Sequence, residues 1–164
     1  MDRRTEWKNR VDAVWADSTL NNAEVIDRID ELAAEWPDDD ALSLFEKAGA
    51  RDSAGLETQA EPLYRRALQL GLPESERAQA TIQLASTIRN LGQIDESIAL
   101  LRAELDAAPD GELAGAATAF LALALASRGD ALEATQLALL ALVPQLPRYQ
   151  RSVRAYAMEL TAGA

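Results

Sequence analysis

The sequence contains no cysteine and no histidine. The first absence removes disulfides, thiol nucleophiles and thiolate metal sites; the second removes the commonest general base and metal ligand. Aromatic residues make up only 5% of the chain, so the apolar mass is mostly Ala and Leu, which favour closely packed helices. No stretch sustains the apolar/polar alternation of a half-buried strand, and no apolar run approaches the roughly 18 residues needed to span a membrane. Met1-Asp2-Arg3-Arg4 leads into charged sequence without an apolar leader segment, so a cytoplasmic location is expected.

Positive charge is also scarce. Sixteen Lys and Arg face 27 Asp and Glu, a net charge of −11 that works against phosphate backbones and anionic lipid, so neither nucleic acid nor membrane is an expected partner. The imbalance is uneven: residues 1–40 hold 5 basic and 12 acidic groups, whereas residues 147–164 hold Arg148, Arg151 and Arg154 against Glu159 alone. With 164 residues the chain suits a single domain, 1–164, of the all-α class.

What the sequence does hold is a repeat. Gly55, Gly92 and Gly129 lie 37 residues apart, each five residues before a small residue, Ala60, Ser97 and Ala134. In the same frame Lys47-Ala48, Leu84-Ala85 and Leu121-Ala122 precede the glycines, while Tyr64, Leu101 and Ala138, then Ala67, Glu104 and Ala141, follow them. These are positions at which two antiparallel helices of a hairpin touch. Pro73, Pro109 and Pro147 close the units.

The second unit, Gln83 to Gly92, then Asp95 to Leu101 and Ala107-Ala108-Pro109, resembles a tetratricopeptide repeat: Leu84, Ala85, Ile88, Gly92, Ser97, Leu101 and Pro109 fall at that family's marker positions. Thr81 and Thr118 stand where the family usually has a large aromatic, and Lys47 and Arg51 replace apolar residues in the first unit. The resemblance implies a right-handed superhelix of antiparallel helix hairpins. Its parts are an N-terminal helix pair (1–37), repeats at 41–73, 78–109 and 115–147, and a capping helix at 148–161. Periodicity and turn residues predict helices near 4–16, 22–35, 40–53, 57–70, 75–91, 94–107, 112–128, 131–145 and 148–161. Val153, Tyr156, Ala157 and Leu160 would form the buried face of the capping helix.

No phosphate-binding, dinucleotide-binding or nucleophile-elbow motif is present. The acidic pairs Asp30/Glu31, Asp38/Asp39 and Asp95/Glu96 read as helix-start and surface charge rather than metal ligands, because adjacent residues on a helix diverge. No catalytic residue, metal or cofactor is therefore expected, and an enzyme built on carboxylates with Tyr64, Tyr149 or Tyr156 is a remote alternative. Gly49 reads as a close-packing residue. Trp7 and Trp15, two turns apart on the first helix, are read as buried against the second helix in preference to a partner surface.

The resemblance places a peptide-binding groove along the first helix of each hairpin. Carried across, it falls on Gln79, Gln83, Ser86, Arg89 and Asn90 in the middle unit. In the first unit it falls on Leu42, Phe45, Gly49, Asp52 and Ser53, and in the third on Ala116, Ala119, Phe120, Leu123, Ala126 and Ser127. The apolar third part calls for a cover, for which the tail helix is favoured over a partner. Arg148, Arg151 and Arg154 then either project toward Arg89 as a basic pocket for an acidic peptide or a free C-terminal carboxylate, or pair with nearby carboxylates on an exposed face, the reading preferred on general grounds. The expectation is a non-catalytic protein- or peptide-binding scaffold, open to homodimerisation as supposed for similar short stand-alone bacterial repeat proteins. The alternative is a regulator whose groove senses a small molecule or short peptide.

Overall fold

The computed structural model describes residues 2–162, and every regular element among them is helical. In chain order these are α1 (Arg3–Ala16), α2 (Asn22–Ala33), α3 (Ala41–Ser53), α4 (Glu57–Leu70), α5 (Glu74–Asn90), α6 (Ile94–Ala107), α7 (Ala114–Arg128), α8 (Ala131–Leu142), a 3-10 turn (Val143–Gln145) and α9 (Gln150–Glu159). Two compact units, Met1–Thr87 and Ile88–Ala164, make up the chain.

The 37-residue frame is written into the backbone. Gly55, Gly92 and Gly129 have φ of 73°, 85° and 103°, a region that glycine enters without the steric penalty of a Cβ. Beyond each glycine the next amide reaches back across the turn. Leu56 N–H donates to the Arg51 carbonyl at 2.9 Å, Gln93 N–H to that of Ile88 at 2.8 Å, and Asp130 N–H to that of Leu125 at 2.9 Å. Each bond satisfies a carbonyl at the end of one helix and aims the chain into the next. The return helices α4, α6 and α8 accordingly have no side-chain N-cap, whereas Asp2, Asn21 and Asp40 cap α1, α2 and α3.

Two ends depart from the expected spans. The helix expected over 131–145 stops at Leu142 and tightens into the 3-10 turn, because Pro144 lacks an amide and clashes with the preceding turn. The tail helix starts at Gln150, after Tyr149 has turned the chain with a φ of 67°.

In the first unit, Trp7 and Val11 of α1, Ile29 and Ala33 of α2 and Ala50 of α3 are buried, and most of them cluster with Val25, Leu32 and Trp36. α3 packs on α4 through Ala48, Ala60, Tyr64 and Ala67, with the Phe45 and Tyr64 rings 6.2 Å apart. In the second unit α6, α7 and α8 pack in sequence around Ile98, Leu101, Ala117, Leu121, Leu125 and Ala134. The repeat frame weakens in α8: Ala138 and Ala141 are exposed where Tyr64 and Ala67 are buried. Gln136, which faces α9, lies on nearly the opposite side of α8 from Ala138.

Candidate functional site

Helix α5 carries Gln79, Gln83, Ser86, Arg89 and Asn90 within a few turns. In the first unit, Gln79 is exposed and Gln83 and Ser86 are half-buried. The Oε1 atom of Gln83 is buried and accepts no hydrogen bond. In the second unit Arg89 donates to Asn90 Oδ1 at 3.1 Å, an arrangement that holds the guanidinium near the end of the helix.

Asp52, placed at a groove position by the repeat frame, is half-buried and hydrogen-bonded. The Thr87 hydroxyl lies 2.9 Å from its Oδ1 and also 2.9 Å from the Gln83 carbonyl, and the Tyr64 hydroxyl is 3.4 Å from its Oδ2. Burial pushes the Asp52 carboxyl above the ordinary range, further than the hydrogen bonds from Thr87 and Tyr64 pull it down. The same burial, with Asp52 beside it, raises the Tyr64 phenol far above its usual value. No lysine or arginine among the described residues pairs with Asp52. Through its bond to Asp52 the buried Thr87 links α5 to α3.

The two tryptophans of α1 part company. Trp7 is 1% exposed and donates from Nε1 to the Leu32 carbonyl at 2.8 Å, as expected for burial against α2. Trp15 is 40% exposed, which corrects the expectation of burial against α2: its indole turns to α3 instead. Its Nε1 donates to Glu46 Oε2 at 2.8 Å, and Lys8 Nζ approaches Glu46 Oε1 at 3.4 Å. Glu46 is 5% exposed, an almost fully buried carboxylate that only the tertiary packing of α1 could reveal. The Trp15 ring lies over Gly49, where a Cβ would sit 3.5 Å from the indole and 3.9 Å from the Tyr64 hydroxyl. These are ordinary contact distances, so the close packing expected at Gly49 does not itself require glycine.

Asp40 does more than cap α3. It accepts from Ser43 N–H at 2.9 Å while Arg4 grips both its oxygens, and the Arg4 guanidinium also covers the Trp36 ring. Arg51, one of the departures from the repeat pattern, makes a two-point contact with Asp30 of α2 at 3.0 and 2.8 Å.

In the second unit Phe120 is half-buried on α7, and Leu123 one turn on is 49% exposed. The tail packs chiefly against α8 and the 3-10 turn, so the expected cover of the α7 strip is not what it provides. Ala157 is its buried anchor, and Gln136 Nε2 donates to the Ala157 carbonyl at 3.1 Å and to Thr161 Oγ1 at 2.9 Å. Tyr156, expected on the buried face, is 68% exposed. Arg148, Arg151 and Arg154 are exposed, and among the described residues none pairs with a carboxylate, against the preferred sequence reading.

No group of His, Cys, Asp or Glu among the described residues could hold a metal ion. No helix there is long and apolar enough to cross a membrane.

Residues 41–160 match the profile of the tetratrico peptide repeat. The fold is similar to that of the nearly identical TPR-like repeats of a protein described as a kinesin light chain from Podospora anserina. That similarity has a TM-score of 0.73 at 16% identity and covers 99% of this chain and 90% of that one. It is also similar to a MamA RS-1 ArsTM double mutant, with a TM-score of 0.63 at 16% identity over 99% and 97% of the two chains. No curated protein matches the sequence. A profile match over most of its length, together with three glycine turns in one frame, shows that the chain belongs to the tetratricopeptide repeat family.

Proposed function

We propose that the protein is a non-catalytic scaffold that docks a protein or peptide segment against the first helices of its hairpins. The family's general role as an interaction fold supports this, and the carrying observation is local: Gln79, Gln83 and Ser86 form an exposed to half-buried polar strip on the first helix of a hairpin. An extended peptide offers backbone donors and acceptors that amide and hydroxyl side chains match. In the second unit Arg89, Asn90 and Phe120, and separately the tail surface of Arg148, Arg151 and Arg154, suit an acidic segment or a free C-terminal carboxylate, because guanidinium groups bind carboxylates through two parallel hydrogen bonds. We read the site of action as cytoplasmic and the chain as able to self-associate.

Peptides with a free or an amidated C-terminus, titrated into wild type and into Arg89→Ala/Asn90→Ala, test the docking surface. Tighter binding of the free-acid peptide that is lost in the double variant is the expected result. Equal binding of both peptides by both proteins refutes the assignment to Arg89 and Asn90. Sedimentation of the full chain over a range of concentrations reads self-association directly.

A further inference from the structure

The first unit holds a second recognition chemistry, of opposite sign to that of the arginines. Three of its observations converge around Gly49. The Trp15 indole lies over this glycine and is 40% exposed, and no arginine or lysine among the described residues covers its ring; Trp36, by contrast, is covered by Arg3 and Arg4. The Tyr64 hydroxyl sits on the same glycine and leads to the carboxylate of Asp52, one turn further along α3. The Thr87 hydroxyl lies between Asp52 Oδ1 and the Gln83 backbone carbonyl. Glu46 is already engaged by Trp15 and Lys8, so the carboxylate left without a cation is Asp52.

A half-buried carboxylate without a counter-charge and an indole face share one requirement. They gain most from a cation that also donates hydrogen bonds. Gly49 keeps the floor between them low, since it places no side chain over Tyr64. The geometry points to a cation-recognition site in which Trp15 and Asp52 take the guanidinium or ammonium group of an arginine or lysine on a basic peptide segment. This rests on the peptide-docking reading and names the partner chemistry for the first unit.

The test uses the full chain, with a capped peptide of alternating Arg and Gly residues and a Glu counterpart as probes, followed by calorimetry and tryptophan fluorescence. Because the whole chain is acidic, an arginine peptide is attracted without specificity, so Asp39→Asn, which removes the same charge at an exposed position, is the control. The expected result is binding of the Arg peptide but not the Glu peptide, weakened about tenfold by Asp52→Asn and by Trp15→Leu and unchanged by Asp39→Asn. Asp52→Asn keeps an acceptor for Thr87, so a cooperative melt at or above the wild-type midpoint shows that the loss is not misfolding. Equal weakening by Asp39→Asn and Asp52→Asn, no weakening by either, or equal binding of the Glu peptide overturns the site. If carboxylate-terminated peptides still bind through Arg89 while the Arg peptide is indifferent to Asp52, the cation site falls and the docking reading stands.

Discussion

The guanidinium of Arg4 lies 3.4 Å from the centroid of the Trp36 ring, and the same group bridges to both oxygens of Asp40, the N-cap of α3. One side chain therefore ties the start of α1 to the end of the α2 segment and the beginning of α3. Lysine cannot stack flat on an indole and reach both carboxylate oxygens at once. Arg4→Lys is expected to cost about 1–2 kcal/mol, a fall in melting temperature of about 3–6 °C in a chain of this size, measurable by calorimetry.

Asp40 and Asp52 should respond to pH with opposite signs. Burial pushes the Asp40 carboxyl up, but the hydrogen bonds from Arg4 and Ser43 outweigh it and hold the group below its ordinary value of 3.8. Its contribution to stability is present above that value and lost as pH falls through the folded-state pKa. Asp52 is raised above 3.8, so its contribution is present below that value and lost as pH rises through the folded-state pKa. At neutral pH, Asp40→Asn should therefore destabilise the fold and Asp52→Asn should stabilise it. Both differences from wild type should shrink in strong acid. Urea melts of the three proteins across pH read both signs.

Glycines at two kinds of position should answer oppositely to alanine. At Gly49, inside α3, an added Cβ meets Trp15 at an ordinary contact distance of 3.5 Å, so Gly49→Ala should stabilise by about 0.5–1 kcal/mol through helix propensity. Gly92 has nothing near its Cβ position, but its φ of 85° makes Gly92→Ala destabilising by about 1 kcal/mol or more. Thermal melts of the two variants should move in opposite directions.

The tail is held to α8 through Ala157 and the paired bonds of Gln136. Gln136→Ala should raise amide exchange across residues 150–159 while leaving α6 and α7 protected. Truncation after Pro147 should lower both melting temperature and solubility, by uncovering the flank of α8 that α9 occupies. Unchanged exchange and solubility would remove the capping role.

The helix positions and hairpin turns were legible because glycine spacing and proline placement act locally: the chain at Gly55, Gly92 or Gly129 must turn whatever surrounds it. Side-chain destinations were not. Periodicity sets Trp7 and Trp15 on one side of α1, but cannot say that α2 lies beneath the first and α3 beneath the second. The repeat frame put Asp52 at a groove position but could not show its partners, because Tyr64 and Thr87 come from two later helices. The tail's amphipathic pattern rightly marked Ala157 and misplaced Tyr156, since a helix seated on one neighbour buries a narrower stripe than one lying in a groove.

The two cores described above differ in their chemistry, and that difference has a calorimetric consequence. The first is fastened by indoles and partly buried guanidinium–carboxylate pairs, the second by aliphatic contacts around Leu101, Leu121 and Leu125 with its interhelical pairs Arg102–Glu133 and Arg128–Asp95 at the surface. Added salt screens exposed pairs more than partly buried ones. Repeat arrays need not melt all-or-none, so raising ionic strength should broaden the heat-capacity peak or split it.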